Sequence, residues 1–313
     1  MKFAFIYAAL NTPEARQGQW TASALCRILG VSRSGYGAWQ RRQNQPLCPR
    51  QREKQQAQAR LGVQIRAAHR RGRHYYGSPR VYDELHDQGI RVSRKRIARL
   101  MREEGLVGRS RTRRRVQTTD SRHAHAIANN LLERRFTPQE AERPNRFWCG
   151  DITYLPSSDG WLYLATVKDL FSRRIVGWAL DDNMEASLVA TAWQRALETR
   201  GFEVGQGPEL YHSDRGGQYC GTLFQELLKR SGTQPSMSRK GECIDNAVAE
   251  SFFGTLKAEL LADQPGRRFT SKTQAIALVG DYIDNFYNTV RRHSTLGNKS
   301  PVAFELAYQI KQT

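Results

Sequence analysis

From Phe147 onward the chain changes rhythm in a way that few folds accommodate. Three β-patterned segments come in succession, and helix and strand patterns then take turns. Residues 148–155 carry Ile152, Thr153 and Tyr154 in a strand pattern, and Ser157-Ser158-Asp159-Gly160 reads as a hairpin turn. Residues 161–167 and 174–180 give two more strands. A helix is predicted over 184–200, capped by Asp182 or Asn183. A short strand over 210–213 ends at Asp214, a helix follows over 223–230, a strand over 234–237 and a helix over 247–261. Three antiparallel strands followed by alternating helix and strand predict a mixed α/β layer fold.

The part before Phe147 is built differently. Residues 1–146 hold 31 basic and 11 acidic side chains, whereas 147–313 hold 18 and 19, so the whole net charge of +19 belongs to the N-terminal part. Arginine dominates this excess, and its planar fork suits phosphate oxygens. Nucleic acid is the natural polyanionic partner. Two segments share a helix, tight turn, helix pattern. In the first, residues 21–42, Leu25, Ile28 and Leu29 mark an apolar face, Gly30-Val31 make the turn, and Ser32 caps a second helix bearing Arg33, Arg41 and Arg42. In the second, residues 79–104, Val81 and Leu85 precede Gly89-Ile90 and the cap Ser93. Ile97, Leu100 and Met101 then follow at helical spacing, with Arg94, Lys95, Arg96 and Arg99 on or beside the other face and Gly105 as terminator. A polar helix is predicted between them over 43–73, and a basic linker over 107–145, with Arg113, Arg114 and Arg115 in its most basic run and a short helix near 126–134.

Some classes are excluded. No apolar run approaches the length of a membrane span. The first ten residues resemble a signal peptide only faintly, and Asn11-Thr12-Pro13-Glu14 supplies no cleavage pattern, so export is not expected. The five cysteines form no CxxC pair, which argues against a disulfide framework and against zinc and fits a reducing cytoplasm.

Three acids stand out by context. Asp151 sits inside a β-pattern, where a carboxylate is costly unless it binds something. Asp214 ends a strand of the parallel type, the place where sites form in α/β sheets. Glu250 lies early on a helix, where an acid is also a common dipole partner. Singly, each is more readily structural than catalytic. Together they form an oxygen-only set that selects Mg2+ or Mn2+ over zinc, and a pair of such ions serves phosphoryl transfer.

The blocks HSDRGGQY (212–219), DNAVAESFFGTLK (245–257) and YNTVRRHSTLGNKSPVAFE (287–305), with CRILGVSRSGYGAW and YGSPRVYDEL upstream, resemble those of retrovirus-integrase-like DDE transposases. More narrowly, the chain resembles the OrfB product of the bacterial insertion-sequence-three family, in which 35 residues separate the second Asp from the Glu. Here 35 residues lie between Asp214 and Glu250. The resemblance implies an RNase H-like mixed sheet flanked by helices, preceded by all-α helix-turn-helix DNA-binding segments. It implies Asp151, Asp214 and Glu250 as catalytic metal ligands for two Mg2+ or Mn2+ ions when DNA is bound. It also implies cleavage and strand transfer at the terminal inverted repeats of an insertion sequence, by copy-out-paste-in transposition into target DNA. The expected partners are DNA, further copies of the chain on DNA, and an upstream-frame OrfA product as fusion or partner; no heptads are sustained here to replace the coiled coil that such a product supplies.

The expected organisation is a helix-turn-helix segment over 1–45, a second helical DNA-binding segment over 46–106, the linker over 107–145, the catalytic core over 146–265 and a helical extension over 266–313. Lys257, seven residues after Glu250 on the same helix face, is either a contact to the transposon end or a solvated lysine. Arg215 follows Asp214 in a phosphate-facing turn, Arg239 and Lys240 lie in a loop beside the site, and Arg291, Arg292 and His293 form a further DNA-contact candidate. His212 is expected to pack, and Asp245 and Asn246 to cap the Glu250 helix. Two rival readings stay open at this level: a DNA-binding regulator without catalysis, and a nuclease that cuts without joining.

Overall fold

Glycine turns and hydroxyl caps shape the N-terminal helices as the sequence predicts. The computed structural model describes residues 1–12, 20–44, 48–110, 125–240 and 242–312, and the chain divides into two compact units, Met1–Val63 and Gln64–Thr313. In the first unit, α1 (Lys2–Leu10), α2 (Ala22–Ile28) and α3 (Arg33–Asn44) close on Ile6, Leu25, Cys26 and Tyr36, with Phe3 and Trp39 packed against them. Thr21 Oγ1 accepts from the Ala24 N–H at 3.2 Å, Ser32 Oγ from the Gly35 N–H at 2.8 Å, and Gly30 turns the chain at φ +63°. Each cap satisfies an N–H that the first turn of a helix leaves without a partner.

The long polar helix α4 (Pro49–Arg71) crosses the division. In the second unit, α5 (Ser78–Asp87) and α6 (Arg94–Glu103) pack through Val81, Leu85, Ile97, Leu100 and Met101, all buried. Ser93 caps α6 through the Arg96 N–H, and Gly105 ends it at φ +67°. Arg113, Arg114 and Arg115 lie outside the described residues. The helix predicted near 126–134 is absent. That segment is irregular and ends in a turn at Glu133-Arg134; beside the edge strand Gln234–Met237 the Asn129 carbonyl accepts from the Met237 N–H and the Leu131 and Leu132 N–H groups donate to Ser236 Oγ. Its first part bonds to that distant strand, and only its end, over 132–135, closes a turn of its own through the Arg135 N–H to the Leu132 carbonyl. The short α7 (Pro138–Ala141) follows, closed by a capping box between Thr137 and Glu140.

The sheet comprises β1 (Phe147–Ser157), β2 (Gly160–Asp169), β3 (Ile175–Asp181), β4 (Leu210–Ser213) and β5 (Gln234–Met237), in the order β3-β2-β1-β4-β5. β1–β2 and β2–β3 are antiparallel, and β1–β4 and β4–β5 are parallel. α8 (Ala186–Arg200) returns the chain from β3 to β4, and α9 (Gly217–Cys220) and α10 (Thr222–Arg230) return it to β5. α8 begins on Glu185, so neither Asp182 nor Asn183 caps it; both Asp181 and Asp182 are paired with Lys272 instead.

Side chains alternate across the sheet and sort it into two faces. Trp148, Ala165, Val167, Val176, Ala179 and Tyr211 pack under Trp193, Ala192 and Ala196 of α8 and under Phe224 of α10. Phe147, Cys149 and Leu210 look the other way, toward Ala249 of α11 (Ala247–Glu259) and toward Phe304 and Tyr308 of the last helix. α12 (Lys272–Gly280), a π-helical segment (Asp281–Tyr287) and α13 (Pro301–Gln312) complete the extension. A five-stranded mixed sheet flanked by helices is the RNase H-like architecture that the motifs imply.

Candidate active site

The last parallel bridge between β1 and β4 joins Cys149 to His212. Asp151 lies two residues further along β1, and Asp214 follows directly on the end of β4. By alternation Asp151 shares the face of Cys149, which is the face that α11 covers. Glu250 stands exposed in the first turn of α11, next to the buried Ala249. Strand pairing and one helix crossing thus bring into one region three acids separated by up to 99 residues of sequence.

Their electrostatics agree with that placement. The Asp151 carboxyl is pushed well above its ordinary value, first by burial and then by the charges of Asp214 and Glu250, while the Ile152 N–H and Lys257 act in the opposite sense. Asp151 nevertheless keeps some accessible surface, as a ligand-holding group must. Two short hydrogen bonds orient the pair: Asp151 Oδ1 accepts from the Ile152 N–H at 2.9 Å and Asp214 Oδ1 from the Gly216 N–H at 3.0 Å. Lys257 is half-buried on the Glu250 face of α11. Burial lowers its pKa, and Asp151 pulls it back up, so this lysine belongs to the acids' surroundings. Among the described residues, no three His, Cys, Asp or Glu side chains are gathered closely enough to hold a metal ion between them.

Behind Asp214 lies a hydrogen-bond relay with a determined direction. Ser236 Oγ accepts from the Leu131 and Leu132 N–H groups, which uses both its lone pairs, so its proton goes to His212 Nδ1 at 2.9 Å. His212 therefore carries its hydrogen on Nε2 and donates to Ser238 Oγ at 3.2 Å, and Ser238 donates to the Ser213 carbonyl. Burial holds the ring neutral, lowering its pKa to about 4. His212 packs, as expected, and ties β4 and β5 to the 129–132 segment.

The basic candidates separate into several environments. Arg94, Lys95, Arg96 and Arg99 are exposed on α6, and Arg33, Arg41 and Arg42 are exposed in the first unit. Lys240 is exposed, and Arg215 is half-buried with its Nε on the Ser238 carbonyl at 2.7 Å. Arg239 stays exposed, but its guanidinium is committed to Asp245, which also accepts from Arg134 at 2.7 Å. That clamp replaces the expected capping role of Asp245, and Asn246, in the cap position, makes no side-chain bond there.

The expectation that Arg291, Arg292 and His293 face DNA does not hold in this structure. Arg291 is buried against Glu259, Arg292 is bound to Glu84 and Asp87, and His293 is buried against the Tyr287 ring. Sequence reasoning also passed over Lys168. This buried lysine on β2 donates to the Val248 carbonyl in the first turn of the Glu250 helix at 2.8 Å. A lone lysine inside a strand pattern was the available signal.

Models of the Integrase core domain match residues 141–243 and 231–301, and a model of an HTH-like domain matches residues 55–115. The insertion element IS600 31 kDa protein of Shigella sonnei is 42% identical over 91% of this chain and 98% of its own length. Transposase InsF for insertion sequence IS3A of Escherichia coli K12 is 40% identical over 97% of this chain and 98% of its own length. Among solved structures, the HTLV-2 integrase catalytic core domain is similar at 18% identity and a TM-score of 0.40, over 52% of this chain and 97% of that one. With register, motif spacing and near full-length identity in agreement, the chain belongs to the transposase family of the insertion sequence IS3.

Proposed function

We propose that this chain cuts and joins DNA at the ends of an insertion sequence, with Asp151, Asp214 and Glu250 as its catalytic metal ligands. The observation that carries the reading is that the charges of Asp214, just past the end of β4, and of Glu250, in the first turn of α11, both bear on Asp151 of the neighbouring parallel strand β1. The donor set fits hard divalent cations, because it is made of oxygen alone and because the burial, and after it the repulsion from Asp214 and Glu250, that raise the Asp151 carboxyl are what a dication offsets. When bound, two Mg2+ or Mn2+ ions neutralise charge on the phosphodiester and lower the pKa of water.

The chain's own residues do the positioning. The Ile152 and Gly216 N–H groups each fix one oxygen of an aspartate. Lys257 adds a positive charge two turns along the same helix face for the bound strand. Water frees a 3′-OH at the element's end, and that 3′-OH attacks a second phosphodiester in line, forming one P–O bond as another breaks. No covalent link between protein and DNA is required. The exposed basic face of α6 and the arginines of the first unit grip duplex DNA, with Lys240 and the 113–115 arginines as further contacts. Copy-out-paste-in transposition, several copies of the chain on paired ends, an OrfA product as fusion or partner, and a cytoplasmic, nucleoid-associated setting complete the reading. Among the described residues no helix is long and apolar enough to cross a membrane.

The test is incubation with Mg2+ and end-labelled duplexes carrying the DNA that flanks the coding frame. Asp151→Asn, Asp214→Asn and Glu250→Gln are each expected to abolish cutting and joining while leaving DNA binding intact. Wild-type rates in one of them remove that residue from the site. Cutting without joining by the wild-type chain supports a nuclease instead, and binding without cutting supports a regulator.

A further inference from the structure

Two adjacent arginines, just beyond the turn that follows the π-helical segment, point to opposite partners. Arg291 reaches the catalytic helix: its Nε and Nη2 donate to both oxygens of Glu259 at 2.8 and 2.7 Å, and the Tyr282 hydroxyl adds a third bond to the same carboxylate at 2.7 Å. Arg292 reaches the helix-turn-helix pair: its Nε donates to Glu84 at 2.8 Å and its Nη1 to Asp87 at 2.6 Å, both on α5. The backbone between them is held as well, for the Tyr76 hydroxyl donates to the Val290 carbonyl and accepts the Arg292 N–H, each at 3.0 Å. Arg80, on α5 itself, stands 3.9 Å from Glu259.

We propose that Arg291 and Arg292 are positioning residues that fix the helix-turn-helix pair and the Glu250 helix as one body, so that duplex DNA held by α6 meets the acids in a set geometry. The proposal rests on the active-site reading above. The Arg291 and Glu259 side chains are 7% and 3% exposed, and a pair so buried adds little stability over apolar packing of the same volume. What it supplies is direction: a carboxylate bonded at both oxygens by a planar fork fixes both distance and angle. Glu259 ends the helix whose first turn bears Glu250, nine residues or about 13 Å away, so a tilt at one end swings the other.

The experiment uses the full chain, Mg2+ and a labelled duplex carrying the flanking DNA, with products read at single-nucleotide resolution. Arg292→Gln is expected to bind the duplex within about 3-fold of wild type, because the exposed α6 cations are untouched. It is expected to cut about 100-fold more slowly, the usual consequence of a displacement near 1 Å, and at scattered neighbouring positions. Arg292→Lys keeps the charge but not the planar fork that spans Glu84 and Asp87, and is expected to scatter the cuts as well. A loss of folded protein lowers the yield without scattering the cuts. Arg292→Gln cutting at one position, with yield following its folded fraction in a thermal melt, therefore overturns the proposal. Asp151→Asn is run alongside: if it cuts normally, the active-site reading falls and this proposal with it, whereas an inactive Asp151→Asn beside a normal Arg292→Gln overturns this proposal alone.

Discussion

Gly150 leaves the room that the Tyr211 hydroxyl fills: a Cβ on this glycine would overlap the phenol oxygen. Gly150 immediately precedes Asp151, and Tyr211 pairs with Trp148 one strand over, in the core between the sheet and α8 and within reach of the charges of Asp151 and Asp214. Gly150→Ala is expected to force β1 and β4 apart locally, to cost about 1–3 kcal/mol as overpacked cores do, and to reduce Mg2+-dependent cleavage. Adding Tyr211→Phe removes the clashing oxygen and is expected to recover much of both losses. Thermal melts and cleavage rates of the two variants check this, and an alanine variant as stable and active as wild type defeats it.

Asp245 clamps the entrance to the Glu250 helix. Its carboxylate has no exposed surface and accepts from Arg134, Asn130, and the side chain and backbone of Arg239. The hydrogen bond from the Arg239 side chain, with the others, holds its pKa well below the ordinary carboxylate value. Asp245→Asn keeps the shape but turns an acceptor into an amide that faces arginine donors. The arginines are partly solvated, so the loss is expected at about 2 kcal/mol rather than that of a fully buried pair. Limited proteolysis is expected to cut the variant faster beside Arg239, and unchanged resistance together with an unchanged melt counts against the clamp.

The legible parts of this molecule are those governed by local pattern. The strands over 210–213 and 234–237 sit where the sequence places them, as Leu210–Ser213 and Gln234–Met237, because alternation and turn residues are local signals. The catalytic reading of the acids was reached through motif spacing, and the strand register supplies a physical basis for it. Long-range partners were not legible. Nothing near Arg291 in sequence announces Glu259, 32 residues away, and Arg292 meets Glu84 across 208 residues, so both arginines read as surface charge. The 126–134 segment read as a helix for the same reason: Ser236, which takes two of its N–H groups, lies more than 100 residues downstream.

The α6 cations give a prediction about salt. Lys95 and Arg96 are exposed at the start of this helix, Lys95 opposite the buried face of Ile97, Leu100 and Met101 and Arg96 on its flank. If each neutralises one DNA phosphate, replacing it releases about one fewer counterion. The logarithmic salt dependence of duplex binding is then expected to fall by about 0.9 per residue. The Lys95→Ala and Arg96→Ala pair should thus lower the slope by about 1.8 and weaken binding to every duplex alike. Titrations by fluorescence anisotropy across salt concentrations decide it, and an unaltered slope removes α6 from the interface.

His293 makes the stability of the second unit sensitive to acid. Its ring is buried, and its pKa is driven well below the ordinary histidine value by burial first, then by Arg291, Lys168, Arg80 and Arg173. The folded state thus holds the ring neutral, whereas the unfolded chain takes up a proton below the ordinary value of about 6.5. Stability from this source is fully present above that pH and is lost progressively as the pH falls below it, because the unfolded state binds more protons there. His293→Phe keeps the ring against Tyr287 and removes the titrating group. Urea unfolding at pH 7.5 and pH 5.5 is expected to show a smaller loss in the phenylalanine variant than in wild type. His212, with its pKa near 4, contributes equally to both chains and leaves the difference intact. Equal losses in the two proteins would mean that the His293 ring is already charged, or already solvated, in the folded state.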